Sequence, residues 1–297
     1  MNRVIIFGRI EYKNKRSITL ARAEYVRFAE TIAKFDLAFH PDVLFGEDPE
    51  AEIDYLHIEL TRKVHEAADK TLTHTVKSIE KLLAFAMAGR VDVFILEAGE
   101  LPRQLILEVN SDKSTVHAFN AGMEAINEKR WADSIGPLTD AIEGFSRHPW
   151  AYNARGHAYL ELGELEKAEA DLKSSKEMYP ALPSHHLGLA RISHARGERA
   201  ATIDNCDRAM KGSIPHQAGH WISALFKAEV LLDIVENGKT SSPEEAAAFL
   251  SVTRSLLDRY KSKLAQLGSA RSEHYPTPED LKKLQERYEQ MLDEVAA

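Results

Sequence analysis

A metal or a reaction in this chain would be sought at a handful of side chains. His216 and His220 stand four apart, the spacing that puts two imidazoles on one helix face as metal ligands. No third ligand can be named beside them, and histidine is common where a helix begins, so both are expected to be structural. The adjacent His185 and His186 read the same way. His57, His65 and His74 do not share a helix face, because the step from 65 to 74 is half a turn at about 100° per residue. Asp92, Glu97 and Glu108 could form an acidic set on strands, of the sort that cleaves nucleic acid. The lysine such a set needs two residues after its last acid is missing, and Asn110 stands there instead. Glu97 and Glu108 are therefore expected at a strand edge or facing solvent. Cys206 is the only cysteine, which excludes an intramolecular disulfide and a thiolate cage. With no activating neighbour evident, its expected role is packing. A phosphate loop, a dinucleotide fingerprint, Gly-x-Ser-x-Gly and His-Glu-x-x-His are all absent. The reading is of no catalytic residues, no cofactor and no metal.

Composition narrows the class further. With 297 residues there is room for about two domains. Hydrophobic residues at 44% and charged residues at 28% fit a soluble, well-cored chain. A net charge of −8 argues against a nucleic-acid binder, whose footprint is basic. The local group Lys13, Lys15 and Arg16 is expected to solvate a turn. The opening run Val4–Phe7 is too short for a secretory signal, and no stretch approaches the ~20 apolar residues of a membrane span. The expected location is the cytoplasm.

Residues 1–112 read as a small α/β domain. Val4 to Tyr12 is rich in β-branched and aromatic residues, as a strand should be. Ser17 is expected to cap a helix reaching about Phe35, with Leu20, Ala21, Tyr25, Phe28, Ile32 and Phe35 at near-helical spacing. Asp36 to Phe45 reads as extended, since Pro41 discourages helix. Glu50 to Gly89 reads as one long helix or two shorter ones, on Ile53, Leu56, Leu60, Val64 and Ala67 and then Leu72, Val76, Ile79 and Leu83. Two strands follow, Val91–Glu97 and Gln104–Asn110, joined by a hairpin turn carrying Gly99 and Pro102. His40-Pro41-Asp42 resembles the tripeptide of J-domain co-chaperones. Their helix before it is basic toward the chaperone, whereas this one carries Glu24, Glu30 and Asp36, so the resemblance is set aside.

From Asn110 onward the character changes to helical periodicity with an internal repeat, and Ser111–Ser114 is the expected junction. Gly122, Gly156 and Ala190 stand 34 residues apart. In the middle unit, Tyr152, Gly156, Tyr159, Gly163, Ala168, Leu172 and Pro180 occupy the positions of the tetratricopeptide-repeat (TPR) pattern. The first unit keeps Ala118, Ala121, Gly122, Ala125, Ser134, Leu138 and Ala141 but places Pro137 inside its second helix, which should bend or shorten it. The third keeps Leu189, Ala190, Gly197, Thr202 and Ala209, with Cys206 at the large apolar position. Residues 115–214 thus resemble a short TPR array, with units 115–148, 149–182 and 183–216 inside a domain 115–237 that degenerates from 217. Helix pairs of this size cannot bury their own apolar faces and must stack. Residues 242–297 read as capping helices, started by Ser242-Pro-Glu-Glu245 and Thr277-Pro-Glu-Asp280. The last carries a stripe of Leu281, Leu284, Tyr288, Met291 and Val295, expected to pack on the solenoid end or to serve as a homodimer seam. The fold class is α+β overall, a small α/β domain followed by an all-α solenoid.

The resemblance implies a function and a face. TPR arrays bind partners on the concave surface lined by the first helix of each unit. Carried over residue by residue, that surface comprises Phe119, Met123 and Ile126, then Asn153, His157 and Leu160, then Leu187, Arg191 and His194. Arrays that clamp the acidic C-termini of chaperones such as Hsp90 use five cationic and amide side chains. Phe119, Met123, Ser184 and Gly188 stand at four of those positions here, so an apolar or amphipathic protein segment is the expected partner. The expected function is a non-enzymatic adaptor, scaffold or assembly factor, with no nucleic-acid or membrane partner. The alternative is an N-terminal enzymatic or sensory domain that the repeats target to a partner.

Overall fold

The computed structural model describes residues 2–32, 41–45, 55–64, 69–97, 100–215, 217–267 and 275–296. The readings that concern His40, His65, the turn at 98–99 and His216 lie outside the described residues. The chain divides into two compact units, Met1–Arg155 and Gly156–Ala297.

The first unit opens with β1 (Asn2–Glu11), α1 (Lys15–Thr31), α2 (Pro41–Phe45), β2 (Tyr55–Val64), α3 (Asp69–Phe85), β3 (Ala88–Glu97) and β4 (Glu100–Glu108). The strands form one antiparallel sheet in the order β2-β1-β3-β4. Alternation decides which face is covered. Val4, Ile6 and Ile10 of β1, Leu56 and Ile58 of β2, and Val91 and Val93 of β3 point to one side. There they meet Ile18, Ala21 and Tyr25 of α1 and Ile79, Leu82 and Leu83 of α3. Gly8 sits where β1 runs closest to β3: a Cβ there would collide with the Arg90 carbonyl oxygen and the Val91 Cα.

Three local readings are corrected. Tyr55–Val64 is a strand, not part of a helix. Its apolar residues also fit helical spacing, but exposed Tyr55 and His57 alternate with buried Leu56 and Ile58, and pairing with β1 along its whole length decides between the two periods. Pro41–Phe45 is a short helix rather than extended, because proline at a first helical position forfeits no hydrogen bond. The α1 cap is Asn14 and not Ser17; its side chain accepts the Ser17 N–H at 3.1 Å, and the helix ends at Thr31.

The helical part comprises α4 (Ser114–Asn127), α5 (Trp131–Gly144), α6 (Pro149–Glu161), α7 (Leu165–Met178), α8 (Pro183–Ala195), α9 (Arg199–Gly212), α10 (Ala218–Glu236), α11 (Pro243–Leu267) and α12 (Pro278–Ala296). Pro137 does not shorten α5, which has 14 residues like α7 and α9. Leu138, fully buried next to it, anchors the flanking turns in the core shared with α4 and α6.

The 34-residue register holds in three independent features. A Cβ on Gly122 would lie 2.5 Å from the Leu138 Cγ, and one on Gly156 would lie 2.9 Å from the Leu172 Cγ. Ala190 and Cys206, the same pair one unit on, have no exposed surface. Ser134, Ala168 and Thr202 are likewise fully buried, as are Ala141, Ser175 and Ala209. The turns repeat too: Lys129, Gly163 and Gly197 have φ of 59°, 78° and 75°. At each, the left-handed residue bonds back to its helix, and the next N–H reaches the carbonyl five residues earlier. The second of these bonds measures 2.8 Å at Arg130, 2.9 Å at Glu164 and 2.8 Å at Glu198.

In the second unit, Trp221, Leu225 and Leu232 of α10 and Leu250, Leu257 and Tyr260 of α11 enclose Leu281, Leu284 and Met291 of α12. Leu281, Leu284 and Met291 of the stripe weighed as a dimer seam are therefore turned inward. Arg287 holds α12 on α10 through Asp233 and Glu236, each at 2.7 Å.

Lys129 is the one described non-glycine residue in the left-handed region. Lys129→Gly should raise stability toward urea by about 1 kcal/mol, and Gly163→Ala should lower it by a similar amount.

Candidate partner-binding face

The nine residues expected to line a binding face divide between the two units. Phe119, Met123 and Ile126 fall on one stripe of α4, and Asn153 is on α6. His157 and Leu160 of α6, with Leu187, Arg191 and His194 of α8, belong to the second unit.

In the first unit much of that surface is already engaged. Phe119, Met123 and Ile126 are half-buried against Leu138, Ile142, Ala151 and Ala154. The Phe119 ring lies 4.6 Å from that of His148. The same ring borders a narrow cleft with Met87–Arg90, Val109 and Trp150, whose volume of about 20 Å³ holds little more than one water. Asn153 is buried. The sheet and α4 are joined rather than linked. Val116 lies in the sheet's core, the Lys113 Nζ donates to the Ala86 carbonyl at 2.5 Å, and Arg147 donates to the Tyr12 carbonyl at 2.8 Å.

In the second unit the expected residues lie on α6 and α8. His157 Nε2 lies 3.1 Å from the Ser184 carbonyl, tying α6 to the start of α8. Leu160 and Leu187 are half-buried. Arg191 meets Glu161 at 2.6 Å, and His194 meets Asp233 of α10 at 3.3 Å, edge-on to Phe226. Glu161, Phe226 and Asp233 contact these residues and were not singled out in the sequence. Glu161 stands four residues beyond His157, a helical signal that was available. Asp233 lies 39 residues beyond His194 and had none.

Two histidines are pushed down to about 3 by burial. His148 is one; its Nδ1 accepts the Ala151 N–H at 3.0 Å and so caps α6. His185 is the other, packed 4.3 Å from the His186 ring. Burial also lowers His157, partly offset by the Ser184 carbonyl, and His186 and His220 by the same cause. Burial pushes the Cys206 thiol up to about 12. Two acids of the set on the strands are in ion pairs: Asp92 receives two 3.0 Å bonds from Arg90, which also lies 3.6 Å from exposed Glu108, and the Glu97 side chain lies outside the described residues. Among the described residues, no three His, Cys, Asp or Glu side chains are placed to hold a metal ion. No described helix is long and apolar enough to cross a membrane.

Equivalent helix crossings and equivalent left-handed turns at a constant 34-residue spacing decide what the helices are. They form a TPR-like array. No protein-family model matches the chain, and no curated protein matches it. Solved structures similar to it include the TPR domain of Arabidopsis OM64, at 17% identity over 37% of this chain and 90% of that one, TM-score 0.35. The TPR2B domain of yeast Sti1, in complex with pHsp70, overlaps at 18% identity over 48% and 97%, TM-score 0.33. A thermophilic TPR protein of Thermus thermophilus overlaps at 15% over 60% and 98%, TM-score 0.35. The assignment rests on the chain's own register and not on these overlaps.

Two outcomes follow for the TPR-like array. The buried histidines have folded pKa values below the unfolded value of about 6.5, so the unfolded chain takes up protons first. Stability is then full above that value and falls as the pH drops from it toward 3. A melting series across this range should show that loss, and His148→Asn, which keeps a cap acceptor without titrating, should flatten it. Cys206 should resist a thiol reagent in the native protein and react fully once guanidinium unfolds it.

Proposed function

We propose that this protein is a non-enzymatic adaptor or scaffold, working in the cytoplasm, that holds an apolar or amphipathic segment of another protein on the first-helix face of its TPR-like array. The observation that carries the reading is the state of that face in the second unit. Arg191 is already matched by Glu161 within the chain, and the His194 ring lies 3.3 Å from Asp233. Between them Leu160 and Leu187 remain partly open. An acidic peptide would have to compete with carboxylates that are already in place, whereas an apolar side chain gains by covering the two leucines. Phe119 has a largely structural part in this reading, because it is shared with His148 and the sheet, and the working surface is centred on α6 and α8.

A photo-crosslinking residue placed at Leu187 should capture a partner from cell extract, and the same residue at Val252, exposed on α11, should not. Leu187→Glu combined with Leu160→Glu should reduce recovery of that partner at least about tenfold while the helical signal is retained. Equal capture at Leu187 and Val252 would remove this face from the reading.

A further inference from the structure

β4 is the last strand of the sheet, so one of its sides faces no other described strand. Pairing with β3 decides which residues supply that side. The Val109 N–H donates to the Gly89 carbonyl at 3.3 Å. The same register runs on through Glu108 opposite Arg90, Leu107 opposite Val91 and Leu105 opposite Val93. In an antiparallel pair, residues bonded to their opposite number alternate with residues that are not. Leu105, Leu107 and Val109 therefore spend their N–H and C=O on β3, and Gln104, Ile106 and Glu108 turn theirs outward. Among the described residues, none of those three makes a backbone bond outside the sheet.

The side chains of the same row are open as well. Ile106 is 48% exposed, whereas Leu105 and Leu107 pack against the core on the other face. Gln104 and Glu108 are exposed on either side of it and are held from β3. The Gln104 amide donates to Asp92 at 3.4 Å, and Arg90 lies 3.6 Å from Glu108. An edge that is apolar at its centre and unpaired in its backbone is a template for another strand. β2, the other edge, is a poorer template, because Glu59, Arg62 and Lys63 stand along it.

We infer that β4 pairs with β4 of a second copy of this chain, antiparallel about a two-fold axis at Ile106, joining two sheets into one. The row is self-complementary in that register. Ile106 meets Ile106 of the second copy, Gln104 falls opposite Glu108 on both sides, and Leu105 falls opposite Leu107 on the covered face. The outward N–H and C=O groups of Gln104, Ile106 and Glu108 then all meet complements, and no like charges stand opposite. Neighbouring registers lose this. Centred on Leu105, the pairing sets Pro102, which has no N–H, opposite Glu108. Centred on Gln104 it sets Glu100 against Glu108, and centred on Leu107 it sets Glu108 against Ile106. That fit of the row to itself selects a second copy over an unrelated strand.

The test uses the full chain. Sedimentation over a range of concentrations should show monomer passing to dimer. Ile106→Lys sets two ammonium groups face to face at the axis and should raise the dissociation constant at least about tenfold. Val252→Lys, at an exposed position of α11, should leave it within about twofold. Circular dichroism should be unchanged in both. Cysteines read the register. Across the axis the Cα atoms of the two copies of residue 106 would be about 5.5 Å apart, within reach of a disulfide, and those of residue 104 about 14 Å apart. Ile106→Cys should thus cross-link on mild oxidation and Gln104→Cys should not; Cys206 has no exposed surface and does not compete. A chain that stays monomeric at every concentration, leaving the edge to a strand of another protein, would overturn the inference. So would a dimer that survives Ile106→Lys, or equal cross-linking at the two positions.

Discussion

Where the two helices of a repeat cross, there is room for a leucine on one side only if the other side has almost nothing. Gly122 faces Leu138 and Gly156 faces Leu172 at distances that would not admit a methyl group. The third crossing solves the same problem differently. Ala190 adds the methyl that the glycines lack, and Cys206 replaces leucine with a smaller side chain. The total volume at the crossing is thus roughly conserved while its division between helices changes, the kind of exchange that close-packed interiors tolerate best. Gly188 extends the constraint to neighbouring units, since a Cβ there would press on both Leu172 and His157. A wedge at any of these points would move a helix axis, and with it every residue on the face that axis presents.

Polar groups at the joints follow from that closeness. A histidine brought into a crossing loses water, and burial makes the charged form costly. His148, His157, His185, His186 and His220 are accordingly all lowered, and four of them lie in or beside the first turns of the first helices. As neutral rings they can cap a helix, as His148 does, or donate a single bond across a joint, as His157 does. The surface charges behave otherwise. Arg191 is matched by Glu161 across α8 and α6, and Glu169 of α7 is shared by Lys173 and by Arg196, just past α8.

The sheet domain is governed by one-sided burial. Its covered face is built from alternate residues of β1, β2 and β3, and α1 and α3 are held there by aliphatic contact. Its attachment to α4 adds Val116 to that same core, with Lys113 and Arg147 satisfying backbone carbonyls at the seam. The first helix pair is consequently stabilised from two sides, which explains why Phe119 is less available than its position in the repeat implies.

The repeat was legible in the sequence because its determinants are local and periodic. Gly122, Gly156 and Ala190 mark the crossings, and Gly163 and Gly197 mark the turns, at a spacing that needs no coordinates to measure. The strand Tyr55–Val64 was not legible, since a short apolar run fits both periods and only pairing with β1 chooses between them. The inward course of the α12 stripe was also decided by the fold, because an amphipathic helix records that it needs a partner but not which one. The same holds for the charges. Arg191 and His194 could be placed on their helices from spacing alone. That Arg191 meets Glu161 and His194 meets Asp233 depends on residues tens of positions away. Electrostatic partners are set by distance in space, and only tertiary packing supplies it.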